Sequence, residues 1–400
     1  MKVFKIVELF AGVGGFRLGF ENASKKSFQT IWANQWEPSR KVQHAYNCYV
    51  KNFGENSCIN EDIAKVINDV PEHNILCGGF PCQDYSVAAT GAKGIKGKKG
   101  VLWWGIRDII ELRNPEYILL ENVDRLLKSP SKQRGRDFGV MLKSLYDLGY
   151  DVEWRVINAA EYGEVQRRRR IYIFAYNKST NYYKTISHIN DKKELLLKSG
   201  FFADIFPVND YNLKKVYDCN LLEYSNILDV SDNFKASFFN SGILIDGNIF
   251  TLETTPAPTT IKPLRTIVHK ENVDNKYFLT DAQIQKFDYL RGHKKILRRK
   301  PNGEKYYYTE GKMSSFDSLD LPSRTMLTTE GGINRSTHII EDPHTNKLRF
   351  LTPIECERLN GFPDNWTNTG MPESFRYFCM GNALVIPIVT KIANKIKKIG

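Results

Sequence analysis

Through the first 177 residues, short apolar runs alternate with stretches in which apolar residues recur at helical spacing. The runs Lys5 to Ala11 (KIVELFA), Gln29 to Ala33 (QTIWA), Cys58 to Ile63 (CINEDI), the start of Asn74 to Ser86 (NILCGGFPCQDYS), Glu116 to Val123 (EYILLENV), Tyr150 to Ala159 and Ile171 to Tyr176 predict strands. Helices are predicted for FRLGFENAS after Gly15, for Ser39 to Asn52, Gly100 to Leu112 and Phe138 to Leu148. Strands that alternate with helices predict an α/β domain with parallel pairing, in which ligands sit at the carboxyl ends of the strands.

From Asn177 this alternation stops, and Asn, Lys, Tyr and Ser dominate. A second, irregular domain is expected as far as Leu321, with an extended piece at Thr254 to Pro263 and a basic-aromatic segment at Arg291 to Tyr308. Lysines interleaved with tyrosines suit phosphate contacts and stacking, and equally a solvated charged hairpin. Order returns in the last 79 residues, where Thr352-Pro353 predicts a helix start and Gly381-Asn382 precedes an apolar helix. Four hundred residues exceed one core, so two domains are expected.

The net charge of +12 points to a polyanionic partner, nucleic acid before membrane. The segment MKVFKIVELFAG has no signal-peptide core and no run reaches membrane-spanning length, so a cytoplasmic protein is expected. Seven cysteines without a CxxC pair predict reduced thiols, with neither a disulfide framework nor a metal site.

Several residues could carry chemistry. Gly12-Val13-Gly14-Gly15 follows the first strand, and Arg17 replaces the third glycine of the dinucleotide fingerprint, which disfavours a nicotinamide. The turn suits a nucleotide-like ligand or no ligand at all. Gln35 and Glu37 end the second strand where ribose hydroxyls are held, and Trp36 either stacks on a base or belongs to the core. Asp62 either accepts from a base amino group or caps a helix. Pro81 restricts the backbone before Cys82, a thiol that is either reactive or simply buried. A desolvated Glu121 would have a raised pKa, and one paired with arginine a lowered pKa. Arg168 and Arg170 share one face of an extended chain. Ala88 to Gly100 reads as a solvated linker or as a basic lid.

In this order, FAGVGG, PCQ, ENV, QRRRR and GNALVIP resemble the DNA (cytosine-5) methyltransferases. The resemblance implies a doubly wound, mostly parallel sheet with a smaller, irregular, β-rich recognition domain across a DNA cleft. It divides the chain into a catalytic domain of residues 1–177 completed by 378–400, a target-recognition domain of 178–321 and a connection of 322–377. It implies S-adenosylmethionine as cofactor and S-adenosylhomocysteine as product. Phe10, Gly12, Val13, Gly14 and Gly15 would line the cofactor, Trp36 would stack on adenine, Asp62 and Ile63 would meet its edge, and Leu102 and Asn382 would complete the pocket. Gln35 stands where many members carry the ribose-binding glutamate, and Glu37 can take over that contact. Cys82 would attack carbon 6 of a flipped cytosine, Glu121 would hydrogen-bond ring nitrogen 3 as a carboxylic acid, and Arg168 and Arg170 would hold the base carbonyl and position the acid. The loop Lys93 to Lys99 would close over the base. The resemblance further implies double-stranded DNA as partner, a monomer, no membrane, and a cognate restriction endonuclease. The same catalytic set is known on transfer RNA, and an inactive DNA-binding module is the other alternative.

Overall fold

Apolar side chains on both faces of β1 (Phe4–Leu9) make it an interior strand. A glycine turn leads into α1 (Gly15–Ser24), then β2 (Phe28–Asn34), α2 (His44–Phe53), the one-turn α3 (Ile63–Val66) and β3 (Ile75–Gly79). The computed structural model describes residues 2–80, 102–271 and 273–400. It continues with α4 (Leu102–Arg113), β4 (Tyr117–Asn122), α5 (Arg136–Asp147), β5 (Tyr150–Asn158) and β6 (Arg169–Asn177). Next come α6 (Asn181–Ile186), α7 (Lys192–Glu194), β7 (Val208–Asn220), α8 (Ile227–Asn233), β8 (Ser241–Ile245) and β9 (Asn248–Pro256). The described strands β1 to β9 form one sheet in the order β2, β1, β3, β4, β6, β5, β8, β9, β7.

This sheet is mixed. The pairs β2–β1, β1–β3 and β3–β4 are parallel, whereas β6 runs antiparallel to β4, and every pair beyond it is antiparallel too. The strand expected over Cys58 to Ile63 reduces to a single bridge between Asn34 and Ile59. Polar side chains divert this segment from a ladder. Asn34 Nδ2 donates to the Glu61 carbonyl at 2.8 Å, Asn60 Nδ2 to the Gln35 carbonyl at 2.7 Å, and Asp62 caps α3.

Two compact units emerge from the contacts: Met1–Tyr162, Arg168–Thr260 and Val385–Gly400 form the larger, and Gly163–Arg167 with Ile261–Leu384 the smaller. The divide thus falls after Thr260 rather than at 177, and the chain returns to the larger unit at Val385 rather than 378. The reason lies on β5. Its residues alternate apolar (Tyr150, Val152, Trp154, Val156) with charged (Asp151, Glu153, Arg155), the pattern of a half-solvated strand, yet both faces are buried. Segment 181–206 covers the charged face: Glu153 accepts from Tyr182 Oη at 2.6 Å and Phe201 N at 2.8 Å, and Arg155 donates to the Phe206 and Leu196 carbonyls. On the apolar face Trp154 packs edge-on to Phe138 and Phe238. β8 pairs with β5 so that Gly242 faces Trp154, where a Cβ would stand 2.0 Å from the indole.

The larger unit is completed by α12 (Ile386–Ile399), which packs on α1 where Gly19 leaves room for Val389. The smaller unit holds α9 (Asp281–Arg291), the hairpin β10 (Lys294–Arg299) and β11 (Lys305–Glu310), the pair β12 (Ile339–Glu341) and β13 (Leu348–Phe350), α10 (Pro353–Asn360) and α11 (Glu373–Asn382). Thr352 opens α10 as expected, in a capping box with Glu355. The unit has a small apolar cluster of Phe287, Ile339 and Phe350. Buried charge pairs supplement it: Arg349 binds Asp342 at 2.7 Å and Glu355 at 2.8 Å, and Arg376 binds Glu357 at 2.9 Å. Among the described residues no single helix is long and apolar enough to cross a membrane.

Two outcomes follow for stability. Gly242→Ala forces the Trp154 indole aside and lowers unfolding free energy by about 1–3 kcal/mol in urea titration; an unchanged midpoint would contradict the contact. Burial raises Glu153 from 4.5 to about 7, so the fold prefers its protonated form. That stabilisation is complete below the unfolded value and is lost as pH rises through about 7. Between about pH 5 and about pH 8, Glu153→Gln therefore gains up to about 3 kcal/mol relative to the parent chain.

Candidate active site

Three neighbouring strands bring the catalytic candidates together. In register, Glu121 on β4 lies between Gly79 on β3 and Tyr172 on β6. A Cβ on Gly79 would stand 3.2 Å from Glu121 Oε2, so the end of β3 passes close to the carboxyl. Because β6 is antiparallel to β4, its first residues lie at the carboxyl ends of the parallel strands. Arg170 Nε is thereby 2.8 Å from Glu121 Oε1. Arg168 and Arg170 line one recess with Tyr172, Ile157 and Val385, in keeping with the shared face expected from alternation.

Both sequence-level alternatives for Glu121 meet here. The acid is paired with an arginine, and its pKa is nevertheless raised, because burial outweighs the opposing charges of Arg170 and Arg168. Arg168 is almost wholly buried, and burial followed by the like charge of Arg170 pushes it down to about 9, so it keeps its charge at neutral pH. A buried acid beside two cations, all at strand ends, is suited to donating a hydrogen bond to a substrate ring and holding a carbonyl oxygen.

Pro81, Cys82 and Gln83, with the loop Lys93 to Lys99, lie outside the described residues. Phe80, two residues before Cys82, is described. The buried Asn122 donates from Nδ2 to the Phe80 carbonyl at 2.9 Å, while its Oδ1 accepts from Val123 N at 2.8 Å. Asn122 was not singled out from sequence, though its place after Glu121, at the end of an apolar run, was a signal.

At the far side of the parallel segment, the turn after β1 has three residues with left-handed backbone: Phe10 (φ 53°), Gly12 (φ 56°) and Gly14 (φ 88°). The conformation costs little at glycine and about 1 kcal/mol or more at Phe10. Among the described residues, a Cβ on Gly12 would meet nothing within 4 Å, leaving open space beside the turn. Gln35 is buried, and its Oε1 accepts from Gly12 N at 2.7 Å, so the amide braces the turn. Glu37 is half-buried, burial raises its pKa, and its Oε2 has no hydrogen-bond partner among the described residues. Trp36 is half-buried beside it, whereas Val13 and Gly15 are buried.

Asp62 acts as a cap, accepting from Ala64 N at 3.1 Å; Ile63 is buried, and Leu102 packs against the core at the start of α4. Asn382 ends α11 in the smaller unit and is exposed. Glu8, inside the first apolar run, was also passed over. It is fully buried, accepts from Tyr49 Oη at 2.8 Å and from Arg17 N, and is pushed by burial to about 7. An acid within an apolar run is the same signal that picked out Glu121.

A family model described as C-5 cytosine-specific DNA methylase matches residues 4–398. The chain is 54% identical over 404 residues to the Type II methyltransferase M.Sau3AI of Staphylococcus aureus, covering 100% of this chain and 97% of that protein. It is 26% identical to the Type II methyltransferase M.Bsp6I of Bacillus sp. (strain RFL6), covering 99% of each. Among solved structures, the S. pombe Dnmt2 methyltransferase has a TM-score of 0.60 at 16% identity over 99% of each chain, a likeness of fold. A methyltransferase family implies use of S-adenosylmethionine. With the family model spanning nearly every residue and the acid, the arginines and the glycine turn at the strand ends, the chain belongs to the C-5 cytosine-specific DNA methylases.

Proposed function

We propose that this chain is the modification enzyme of a restriction-modification system, acting as a monomer in the bacterial cytoplasm on one cytosine within a specific duplex sequence, beside an endonuclease that cuts the same site. The Type II relatives and the net charge of +12 support this reading. The observation that carries the chemistry is the desolvated Glu121–Arg170 pair set against Gly79, three residues before Cys82 in the chain.

Carbon 5 of cytosine is a poor nucleophile. The Cys82 thiolate adds to carbon 6, forming a carbon–sulfur bond and making carbon 5 enamine-like. Glu121, whose proton affinity burial raises, hydrogen-bonds ring nitrogen 3 as charge builds there. Arg170 orients the acid, Arg168 receives the base carbonyl, and the two positive charges favour the thiolate. Once carbon 5 carries the methyl group, loss of its proton to a base reforms the double bond between carbons 5 and 6 and expels the thiolate. The base must first leave the stack, at a cost of a few kcal/mol.

The glycine turn fits S-adenosylmethionine, since Gly12 borders open space and Glu37 offers an unpartnered buried oxygen to a hydroxyl donor. Phe10, Gly12, Val13, Gly14 and Gly15 would line it, Trp36 would stack on adenine, and Asp62, Ile63 and Leu102 would border the base. When bound, it supplies the electrophilic methyl group. Gln35 is committed to Gly12, which leaves Glu37 to hold the ribose.

Bisulfite sequencing of DNA from cells expressing the chain is expected to show methylcytosine in one sequence context. Cys82→Ala abolishes transfer, and Glu121→Gln lowers kcat by about a hundredfold or more. Transfer confined to transfer RNA, or surviving Cys82→Ala, would sink the reading. In calorimetric titration with S-adenosylmethionine, Glu37→Ala weakens binding by about tenfold with no loss of stability, whereas Gln35→Ala also destabilises the fold by about 1 kcal/mol because the Gly12 amide loses its acceptor.

A further inference from the structure

The smaller unit contains a two-stranded ribbon most of whose residues are exposed among the described residues. β10 pairs with β11 from Lys294↔Glu310 to Arg299↔Lys305, and Gly303 (φ 84°) closes the turn. Such a ribbon is marginal in water by itself, so its base must be held. Lys294 Nζ donates to the Leu290 carbonyl at 2.9 Å, and Arg335 donates to the Leu290 and Gly311 carbonyls and lies 3.5 Å from Glu310. Just beyond, the buried Arg291 donates to the Ser314 and Ser315 carbonyls and pairs with Asp317 at 3.1 Å. The arm is therefore fixed at its root and bare beyond it.

Its two faces differ. Cross-strand register puts Lys294, Ile296, Arg298, Tyr306, Tyr308 and Glu310 on one face, where the charges are largely used: Lys294 lies 3.4 Å from Glu310, and Arg298 sits 3.9 Å from the centre of the Tyr308 ring. The other face carries Lys295, Leu297, Arg299, Lys305, Tyr307 and Thr309; Lys295 Nζ lies 4.5 Å from the centre of the Tyr307 ring, but no acidic residue offsets the three cations. On it Leu297 is 51% and Tyr307 59% exposed. An exposed leucine and tyrosine among three cations is unfavourable in water and complementary to a polyanion with apolar edges.

We propose that this second face of the β10–β11 hairpin enters the major groove of the substrate duplex and contributes to reading its sequence, an inference that rests on duplex DNA being the substrate. A two-stranded ribbon fits a groove about 12 Å wide. Lys295 and Lys305 supply point charges for phosphates, Arg299 supplies the planar fork that pairs with guanine O6 and N7, and Leu297 and Tyr307 offer apolar contact to a thymine methyl or a sugar.

The test uses the full chain, a duplex containing its methylation context, and a scrambled duplex, over a range of salt. Lys295→Ala and Lys305→Ala should weaken binding to both duplexes alike and reduce the salt slope by about 0.9 each. Arg299→Ala should weaken the specific duplex by about tenfold more than the scrambled one and relax the methylated context at one position. Arg298→Ala, on the opposite face, should behave as the parent chain, and thermal melts should match throughout. A triple variant of Lys295, Arg299 and Lys305 that retains affinity, salt slope and context overturns the proposal while methylation by the parent chain stands. Equal damage from Arg298→Ala overturns the choice of face. A parent chain that transfers no methyl group to duplex DNA overturns the underlying reading and this one with it.

Discussion

The direction of β6 decides whether there is a site. Laid antiparallel against β4, β6 begins where the parallel strands end, so Arg168 and Arg170 arrive beside Glu121 and the end of β3. A parallel β6 would carry the same arginines to the opposite edge of the sheet. Opposite charges in a buried setting then set the balance: the cations tolerate burial because the acid is near, and burial still keeps the acid's proton affinity high. Glycine at 79 lets the strand that leads to Cys82 pass within contact of that carboxyl.

The turn after β1, proposed to hold the cofactor, is organised by a different kind of bond. Side-chain amides at Gln35, Asn34 and Asn60 and the carboxylate of Asp62 are spent on backbone groups of the turn after β1 and of the segment leading to α3. These bonds replace a strand ladder, and the one from Gly12 to Gln35 braces the turn that follows Phe10. What stays uncommitted is the Glu37 carboxylate oxygen, which is why the ribose contact is proposed there and not at Gln35.

Much of this was legible from residues alone, and for physical reasons. Apolar runs bounded by Gly and Pro marked β1, β2, β3, β4, β5 and β6 within a few residues, because a strand buried on both faces tolerates little else. Of two acids inside such runs, Glu121 was singled out with its desolvation left open and Glu8 was not; both are desolvated. The boundary at 177 followed the change of composition after Asn177, whereas the compact units divide after Thr260, because segment 181–206 covers the Glu153 and Arg155 face of β5 with its own hydrogen-bonding groups. The strand expected at Cys58 to Ile63 failed because the pattern of apolar residues does not register side chains that bind backbone.

What the sequence determined by itself was local: which segments are strands, where the glycine turn falls, which acid and arginines stand at strand ends, and through five ordered motifs the family. Tertiary structure decided everything that depends on direction and cover. It set the antiparallel insertion of β6, the extension of the sheet through β8, β9 and β7, the commitment of Gln35 to Gly12, and the bare face of the β10–β11 hairpin. Strand period is a property of a segment and is written in its residues. Pairing direction and partner choice are set by the summed packing of distant segments, as when Gly242 is required by a Trp154 that lies 88 residues before it in the chain.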